Sequence, residues 1–215
     1  MKSVLLTSWI FYSAVGFFSG AVMYSYWIPK VFCKIDIRKT AADHNPGGMN
    51  AIHAAGMGIG LLCIVLDVLK AFIPVLLAVK VGGIREIQLI PVTAAPVLGH
   101  VFSPFLKFRG GKGISSLFGA LLGLWSLSKI VLLLLVFVVL FKFIIVIHPD
   151  SLSVGVSICI SFLFSLFQEQ SFFVRVAFLA ASFIVVLKLA FNPNHEKAGV
   201  TLGKPLLRLR AHRSN

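Results

Sequence analysis

Acidic residues are scarce: Asp and Glu together number 7, against 20 Lys and Arg, in 215 residues. They provide neither a paired-carboxylate site nor metal-ligand spacing, so no metal or other cofactor is expected. Cysteine is sparse as well. Cys33, Cys63 and Cys159 are scattered with no C-x-x-C pair, which excludes a zinc module and a disulfide framework. No Ser-His-Asp order occurs, no internal repeat of the kind that transporters carry, and no low-complexity segment. What is abundant is apolar. Hydrophobic residues make up 58% of the chain, Phe occurs 20 times and the mean hydropathy is +0.97. A chain this apolar takes lipid as its solvent. The net charge of +13 would suggest nucleic acid in a soluble protein. Here the cations fall in short loops and a basic tail, so membrane topology, anionic lipid head groups and phosphorylated substrates are the expected partners, and nucleic acid is not.

A spanning helix needs about 20 apolar residues. Seven candidate runs meet or approach that length: Val4–Ile28, Ala51–Val79, Ile87–Leu106, Ile114–Leu127, Ile130–Ile147, Leu152–Phe167 and Phe172–Ala190. Turn chemistry separates them at HNPGG, KVGG, LKFRGGKG, HPD and FQEQS. The expected fold is therefore all-α and polytopic, with seven spans. The first run imitates a signal peptide but continues through Trp27 with no polar cleavage region, and so is expected to stay as a helix. With seven spans, Lys30, Lys34, Arg38, Lys39, Lys107, Arg109, Lys112 and the tail cations Lys197, Lys204, Arg208, Arg210 and Arg213 share one face. Lys2, Lys80, Arg85, Lys129 and Arg175 share the other. Twelve cations against five make the first face cytoplasmic and put the N-terminus outside. Lys70, Lys142 and Lys188 fall within spans. Residues 1–192 read as one membrane domain, and residues 193–215 as a basic cytoplasmic tail.

Three stretches could carry chemistry. In the first loop, Asp36 and Arg38 are polar groups beside an apolar surface. Asn45-Pro46-Gly47-Gly48 forces a tight turn, and Asn50 stands where the second span begins. A helix start approached by glycines exposes N–H groups that suit an anion. In the second span Asp67 and Lys70 lie three apart on one face and can pair; ionisable groups at that depth are costly, and so are structural or functional. The Gly56–Gly60 run GMGIG follows no strand, and small-residue helix packing explains it better than a dinucleotide fingerprint. The third stretch is KFRGGKGISS. It is not a phosphate-binding P-loop, since Leu106 stands where that motif needs a Gly and Gly113 follows Lys112. The same physics still applies. Gly110, Gly111 and Gly113 can turn N–H groups toward an anion, Lys112 adds a point charge, and Ser115 and Ser116 open a helix at Ile114. His100, just upstream, is a candidate base. These residues alone describe a membrane protein that gathers phosphate at its cytoplasmic face.

Two blocks resemble the bacterial acyl-phosphate:glycerol-3-phosphate acyltransferases of the PlsY type. DIRK, NPGGMN and GMGIGLLCIVLDVLKAFIPV are similar to that family's first signature, DIRK-x-GSGN-x-GATN, followed by an Asp-x-x-Lys span. GHVFSPFLKFRGGKGISS is similar to the second, GH-x-FP-x-F-x-x-FKGGKG-x-AT. The likeness covers about Gly20 to Gly119. It implies seven spans, an external N-terminus, a cytoplasmic active site in a bacterial inner membrane, and transfer of a fatty acyl group from acyl phosphate to glycerol 3-phosphate. It carries Asp36, Arg38, Asn45, Gly47 and Asn50 to a first site and Asp67 and Lys70 to an intramembrane pair. It carries His100, Lys107, Gly110, Gly111, Lys112, Gly113 and Ser116 to a glycerol-phosphate loop. Gly48 and Ser115 join as neighbours.

The chain departs from the pattern in three places. AADHN, one residue longer, replaces GSGN, so that motif's serine and first glycine are absent. An early GS-x-P aligns with Gly20-Ala21-Val22-Met23. The third signature, KH-x-x-NI-x-R-L, survives as Lys188 and Asn192, with Leu189 at the His position and His195 at the Arg position. The expectation is a divergent acyltransferase. Arg38 and the Asn45–Asn50 turn would face the donor phosphate, Lys112 and its glycines the acceptor phosphate, and His100 the reacting hydroxyl. The alternative is a paralogue, non-catalytic or changed in its acceptor, that binds a phosphorylated lipid or a partner membrane protein.

Overall fold

The computed structural model describes residues 8–191 and 199–202. Lys2, Asn192, His195 and the basic-tail cations lie outside these residues. The described chain is mostly helical, with one small two-stranded sheet. Three segments are long and apolar enough to cross a membrane: Met57–Lys80, Glu86–Leu106 and Phe172–Ala190. Three shorter apolar segments, Ile114–Gly123, Ile130–Ile144 and Asp150–Ser165, complete the bundle.

Two expected spans are broken. The first apolar run forms α1 (Trp9–Ala21) and α2 (Tyr24–Phe32), parted at Val22 and Met23, whose backbones are non-helical. The second forms a short α4 (Gly48–Ala55), then α5 (Met57–Lys80), parted at Gly56, whose φ of +89° few other residues adopt. Between them a single turn, α3 (Ile37–Thr40), is capped by Asp36. The third run, with short 3-10 turns at both ends, contains α6 (Leu89–Val101). Then come α7 (Ile114–Gly123), α8 (Ile130–Val139), α9 (Asp150–Ser165) and α10 (Phe172–Ala190).

The expected span Ile130–Ile147 is the clearest departure. It is helical only to Val139, widens through a π turn at Leu140–Ile144, and ends as strand β1 (Ile145–His148). Ile145, Val146 and Ile147 are β-branched and fit an extended backbone. They pair antiparallel with β2 (Gly199–Leu202), Ile145 opposite Leu202 and His148 opposite Gly199. Hydropathy cannot separate an apolar strand from an apolar helix, so within a mostly helical fold this ribbon corrects the expected helical span Ile130–Ile147.

The bundle is apolar outside as well as inside. On α5, Leu61, Val65, Leu69, Ile73 and Leu77 recur every fourth residue and are exposed. Asp67, Lys70, Ala71, Pro74 and Ala78 on the same helix are buried. A polar pair inside and leucines outside reverse the pattern of a water-soluble helix and suit lipid. Packing is close where small residues allow it. A Cβ at Gly20 would stand 2.1 Å from the Pro96 carbonyl oxygen, and one at Gly99 would stand 2.0 Å from that of Phe17, so α1 and α6 approach backbone to backbone.

The break between α1 and α2 is supported by side chains. Breaking a helix frees carbonyl and amide groups that lipid cannot satisfy. The Val22 carbonyl accepts from Lys70 Nζ, and the Ala21 carbonyl accepts from Ser103 Oγ at 2.6 Å. The Tyr24 amide donates to Asp67 Oδ1 at 3.3 Å, and the Ser25 hydroxyl donates to Asp67 Oδ2. Asp67 and Lys70 pair with each other at 2.7 Å, both buried. Ser19 Oγ closes the set by donating to the Lys70 carbonyl at 2.7 Å. The intramembrane pair thus holds the broken helix.

Candidate anion-binding site

At one end of the bundle four chain segments converge: residues 36–53, 100–115, 142–150 and 188–191. They enclose two cavities of about 840 and 570 Å³. The larger is lined by the turn from Ala42 to Asn50, by His53, His100, Lys112, Gly113, Ile114 and Ser115, and by Lys142 and Asp150. The smaller carries Arg38, Lys39, Arg109 and Lys188, with Asp36, Gly110 and Phe191. Asp43, His44 and Asn45 line both and form the wall between them.

Arg38 is held in advance. Asp36 accepts from the Arg38 amide at 3.2 Å and lies 3.7 Å from its Nε. The guanidinium stacks over the Tyr26 ring at 4.4 Å and donates to the Tyr26 hydroxyl at 2.7 Å. Stacking and pairing leave its remaining N–H groups for an anion in the smaller cavity. Asp36 is thus a cap and a brace for Arg38.

The Asn45–Gly48 turn folds as its sequence suggests. The Gly47 amide donates to the Asn45 carbonyl at 2.9 Å, and Asn50 Nδ2 donates to that same carbonyl at 2.8 Å. Asn50 Nδ2 also reaches Asp43 Oδ1 at 2.9 Å, and the Asn45 amide reaches the same oxygen at 3.2 Å. Asp43 Oδ2 lies 2.9 Å from Lys112 Nζ. Burial works to raise the Asp43 pKa, but the bond from Lys112, those from Asn45 and Asn50, and the Lys112 charge outweigh it. The carboxyl is held below its ordinary value. The Asp43–Lys112 pair is therefore intact at neutral pH and opens only as pH falls through that lowered value.

The glycine-rich loop works differently from the sequence reading. Lys107 and Phe108 both take left-handed backbone, with φ of +54° and +61°. They turn the chain back on the end of α6. There the Gly110 amide donates to the Val101 carbonyl and the Gly111 amide to the His100 carbonyl, each at 3.1 Å. These two amides are therefore not free for an anion. The glycines serve close approach instead: a Cβ at Gly110 would stand 1.9 Å from the His100 carbonyl oxygen, and one at Gly111 would stand 2.4 Å from His100 Nε2. Gly113, at φ +85°, caps α7. Ser116 is buried and meets His100 Nδ1 at 2.9 Å, so it orients the imidazole. His100 itself is buried at the floor of the larger cavity.

Of the residues expected from sequence, Asn45, Gly47, Gly48, Asn50, His100, Lys112, Gly113 and Ser115 meet around the larger cavity. Asp36, Arg38, Asn45 and Gly110 meet around the smaller. Lys107 is exposed and lines neither. Gly111, Ser116, Asp67 and Lys70 also lie outside both linings, the last two beneath the floor with the broken helix. Sequence reasoning missed Asp43, His44 and His53 as site residues, and Arg109, which it counted only as a topology cation; Lys188, noted as a remnant of the third signature, lines the smaller cavity. It also missed Lys142 and Asp150, which face the larger cavity because the apolar run around Lys142 stops being helical. Asp43 carried a signal, as an acid in the loop that is one residue longer than the family pattern.

A helical bundle with exposed leucines and two cation-lined cavities at one end defines a multi-pass membrane protein. A family model described as glycerol-3-phosphate acyltransferase matches residues 10–198, and the chain belongs to that family. It is 41% identical over 112 residues to glycerol-3-phosphate acyltransferase 2 of Thermotoga maritima, a match that covers 52% of this chain and 56% of that protein. It thus spans little more than half of that relative. Against the glycerol-3-phosphate acyltransferase of Thermosipho melanesiensis it is 39% identical over 175 residues, 81% of this chain and 82% of the relative. Its fold is similar to crystal structures of PlsY, an integral membrane glycerol 3-phosphate acyltransferase. The TM-score is 0.74 at 26% identity for the glycerol 3-phosphate form, covering 86% of this chain and 89% of that one. For the lysophosphatidic acid form the TM-score is 0.72 at 25% identity.

Proposed function

We propose that this protein transfers a fatty acyl group from acyl phosphate to glycerol 3-phosphate or a related polyol phosphate. The observation that carries the reading is the pair of cation-lined cavities that share one wall. A reaction between two phosphorylated substrates needs two separate phosphate anchors and one place where the acyl carbon and the hydroxyl meet. Arg38, Lys39, Arg109 and Lys188 suit the donor phosphate. Lys112 and Asn50 suit the acceptor phosphate.

The acceptor hydroxyl attacks the acyl carbonyl carbon. An ester C–O bond forms, the bond from that carbon to the phosphate oxygen breaks, and inorganic phosphate departs with the electron pair. The hydroxyl proton passes to His100 or to a phosphate oxygen. Acyl phosphate carries a good leaving group, so positioning and charge stabilisation supply most of the catalysis. Purified protein given palmitoyl phosphate and glycerol 3-phosphate is expected to form lysophosphatidic acid, read by thin-layer chromatography of labelled acceptor. Absence of product from protein that binds glycerol 3-phosphate would favour the non-catalytic paralogue, a reading that the missing signature serine and histidine support.

The same reading includes seven crossings, an external N-terminus and a site on the cytoplasmic side of a bacterial inner membrane. Convergence of residues 36–53, 100–115, 142–150 and 188–191 at one end supports it, because seven crossings bring these segments to one face. The meeting of Ser128 with Gln170 supports it from the other end. In a cysteine-free background, Lys129→Cys is expected to react with an impermeant maleimide in intact cells and Lys39→Cys only after lysis. The reverse pattern would sink this orientation.

A further inference from the structure

The acceptor anchor already holds an anion of the protein's own. Lys112 Nζ meets Asp43 Oδ2 at 2.9 Å, while Asn50 Nδ2 and the Asn45 amide hold Asp43 Oδ1 at 2.9 and 3.2 Å. An ammonium, a side-chain amide and a backbone N–H around a pair of oxygens make a suitable seat for a phosphate as well as for a carboxylate. Asp43 sits on the wall common to both cavities and its side chain is one-quarter exposed, so it can swing out without disturbing the bundle. Any substrate that is to reach Lys112 must displace or crowd this carboxylate.

We propose that Asp43 is an internal competitor that sets the affinity threshold of the acceptor site: its carboxylate takes the place of the acceptor's phosphate on Lys112 and Asn50 and must be displaced before a phosphomonoester binds. The inference rests on the acceptor reading above. A phosphomonoester carries a charge of about −1.5 to −2 near neutral pH and brings three acceptor oxygens. It offers Lys112 more charge and Asn50 and the Asn45 amide more partners than the single carboxylate does. A neutral polyol offers no charge. A monoanion such as glycerate or a phosphodiester only matches what Asp43 already supplies. The internal carboxylate therefore lowers the affinity of every displacing anion by the same factor, so that the intrinsically weaker monoanions fall below useful affinity while a phosphomonoester does not.

Binding of labelled glycerol 3-phosphate and of labelled glycerate to purified wild type, Asp43→Asn, Asp43→Ala and Asp43→Glu tests this. Both charge-removing variants are expected to bind glycerol 3-phosphate at least fivefold more tightly than wild type. They are also expected to gain measurable glycerate binding, while Asp43→Glu stays within threefold of wild type for both ligands. If acyl transfer is followed, the gain should fall in the acceptor KM and leave the donor KM alone. A residue that merely braced the Asn45–Asn50 turn would lose affinity on substitution. Wild-type binding of glycerol 3-phosphate with no gain in either Asn or Ala variant would overturn the inference and spare the acceptor reading. Binding by none of the four proteins would overturn both.

Discussion

Lys70→Met is expected to destabilise the bundle by about 3–5 kcal/mol, the usual consequence of removing one partner of a buried ion pair. Two costs combine. Asp67 keeps its Tyr24 amide and Ser25 hydroxyl donors but loses its counter-ion at 2.7 Å. The Val22 carbonyl loses its donor at a helix break where lipid supplies no replacement, a loss of about 1–3 kcal/mol for an unsatisfied buried group. Equilibrium unfolding in detergent, followed by far-ultraviolet circular dichroism, measures it. Asp67→Asn combined with Lys70→Met removes both charges and should cost less than Lys70→Met alone, since no unpaired ion remains. Stability of Lys70→Met within 1 kcal/mol of wild type would mean that the pair does not hold the break between α1 and α2.

That break also shows where sequence reasoning stops. Nothing in SGAVMYS marks a helix end by ordinary turn chemistry, since no proline stands there and the one glycine precedes the break. The break is held by residues far along the chain, Lys70 on the Val22 carbonyl 48 positions away and Asp67 on the Tyr24 amide 43 positions away, which no local pattern can report. The pairing of Asp67 with Lys70, by contrast, was legible from spacing and from the cost of charge in a membrane. The strand Ile145–His148 was hidden for a related reason: its partner lies more than fifty residues on, and apolar content alone reads as helix.

At the site, residue types were legible and their roles only partly so. Three glycines next to lysine do mark a cation-bearing loop, and Lys112 does face the larger cavity. Two of those glycines serve steric closeness to His100 rather than anion donation, because their amides close a hairpin onto the end of α6. Sequence gives a glycine's permissiveness but not which demand uses it. Lys142 and Asp150 were invisible as cavity residues because only tertiary folding brings them beside the Asn45 turn.

Arg38→Ala is expected to lower kcat for acyl transfer at least 100-fold, about 2.7 kcal/mol of transition-state stabilisation. Charge grows on the phosphate oxygens as the acyl C–O bond breaks, and a cation fixed beforehand stabilises that charge without reorganising. Arg38 is fixed on three sides, by Asp36, by the face of Tyr26 and by the Tyr26 hydroxyl. Arg38→Lys should therefore recover little, because an ammonium cannot both stack on Tyr26 and present a planar fork to phosphate. Tyr26→Phe keeps the ring and loses the hydroxyl, and should cost no more than about tenfold, in line with one hydrogen bond to a charged group. The acceptor KM should move less than twofold in Arg38→Ala, since Lys112 and Asn50 stand in the other cavity. Steady-state rates with acyl phosphate and glycerol 3-phosphate varied in turn separate these effects. A kcat/KM for acyl phosphate within threefold of wild type in Arg38→Ala would move the donor phosphate to the Arg109 and Lys188 side of the smaller cavity.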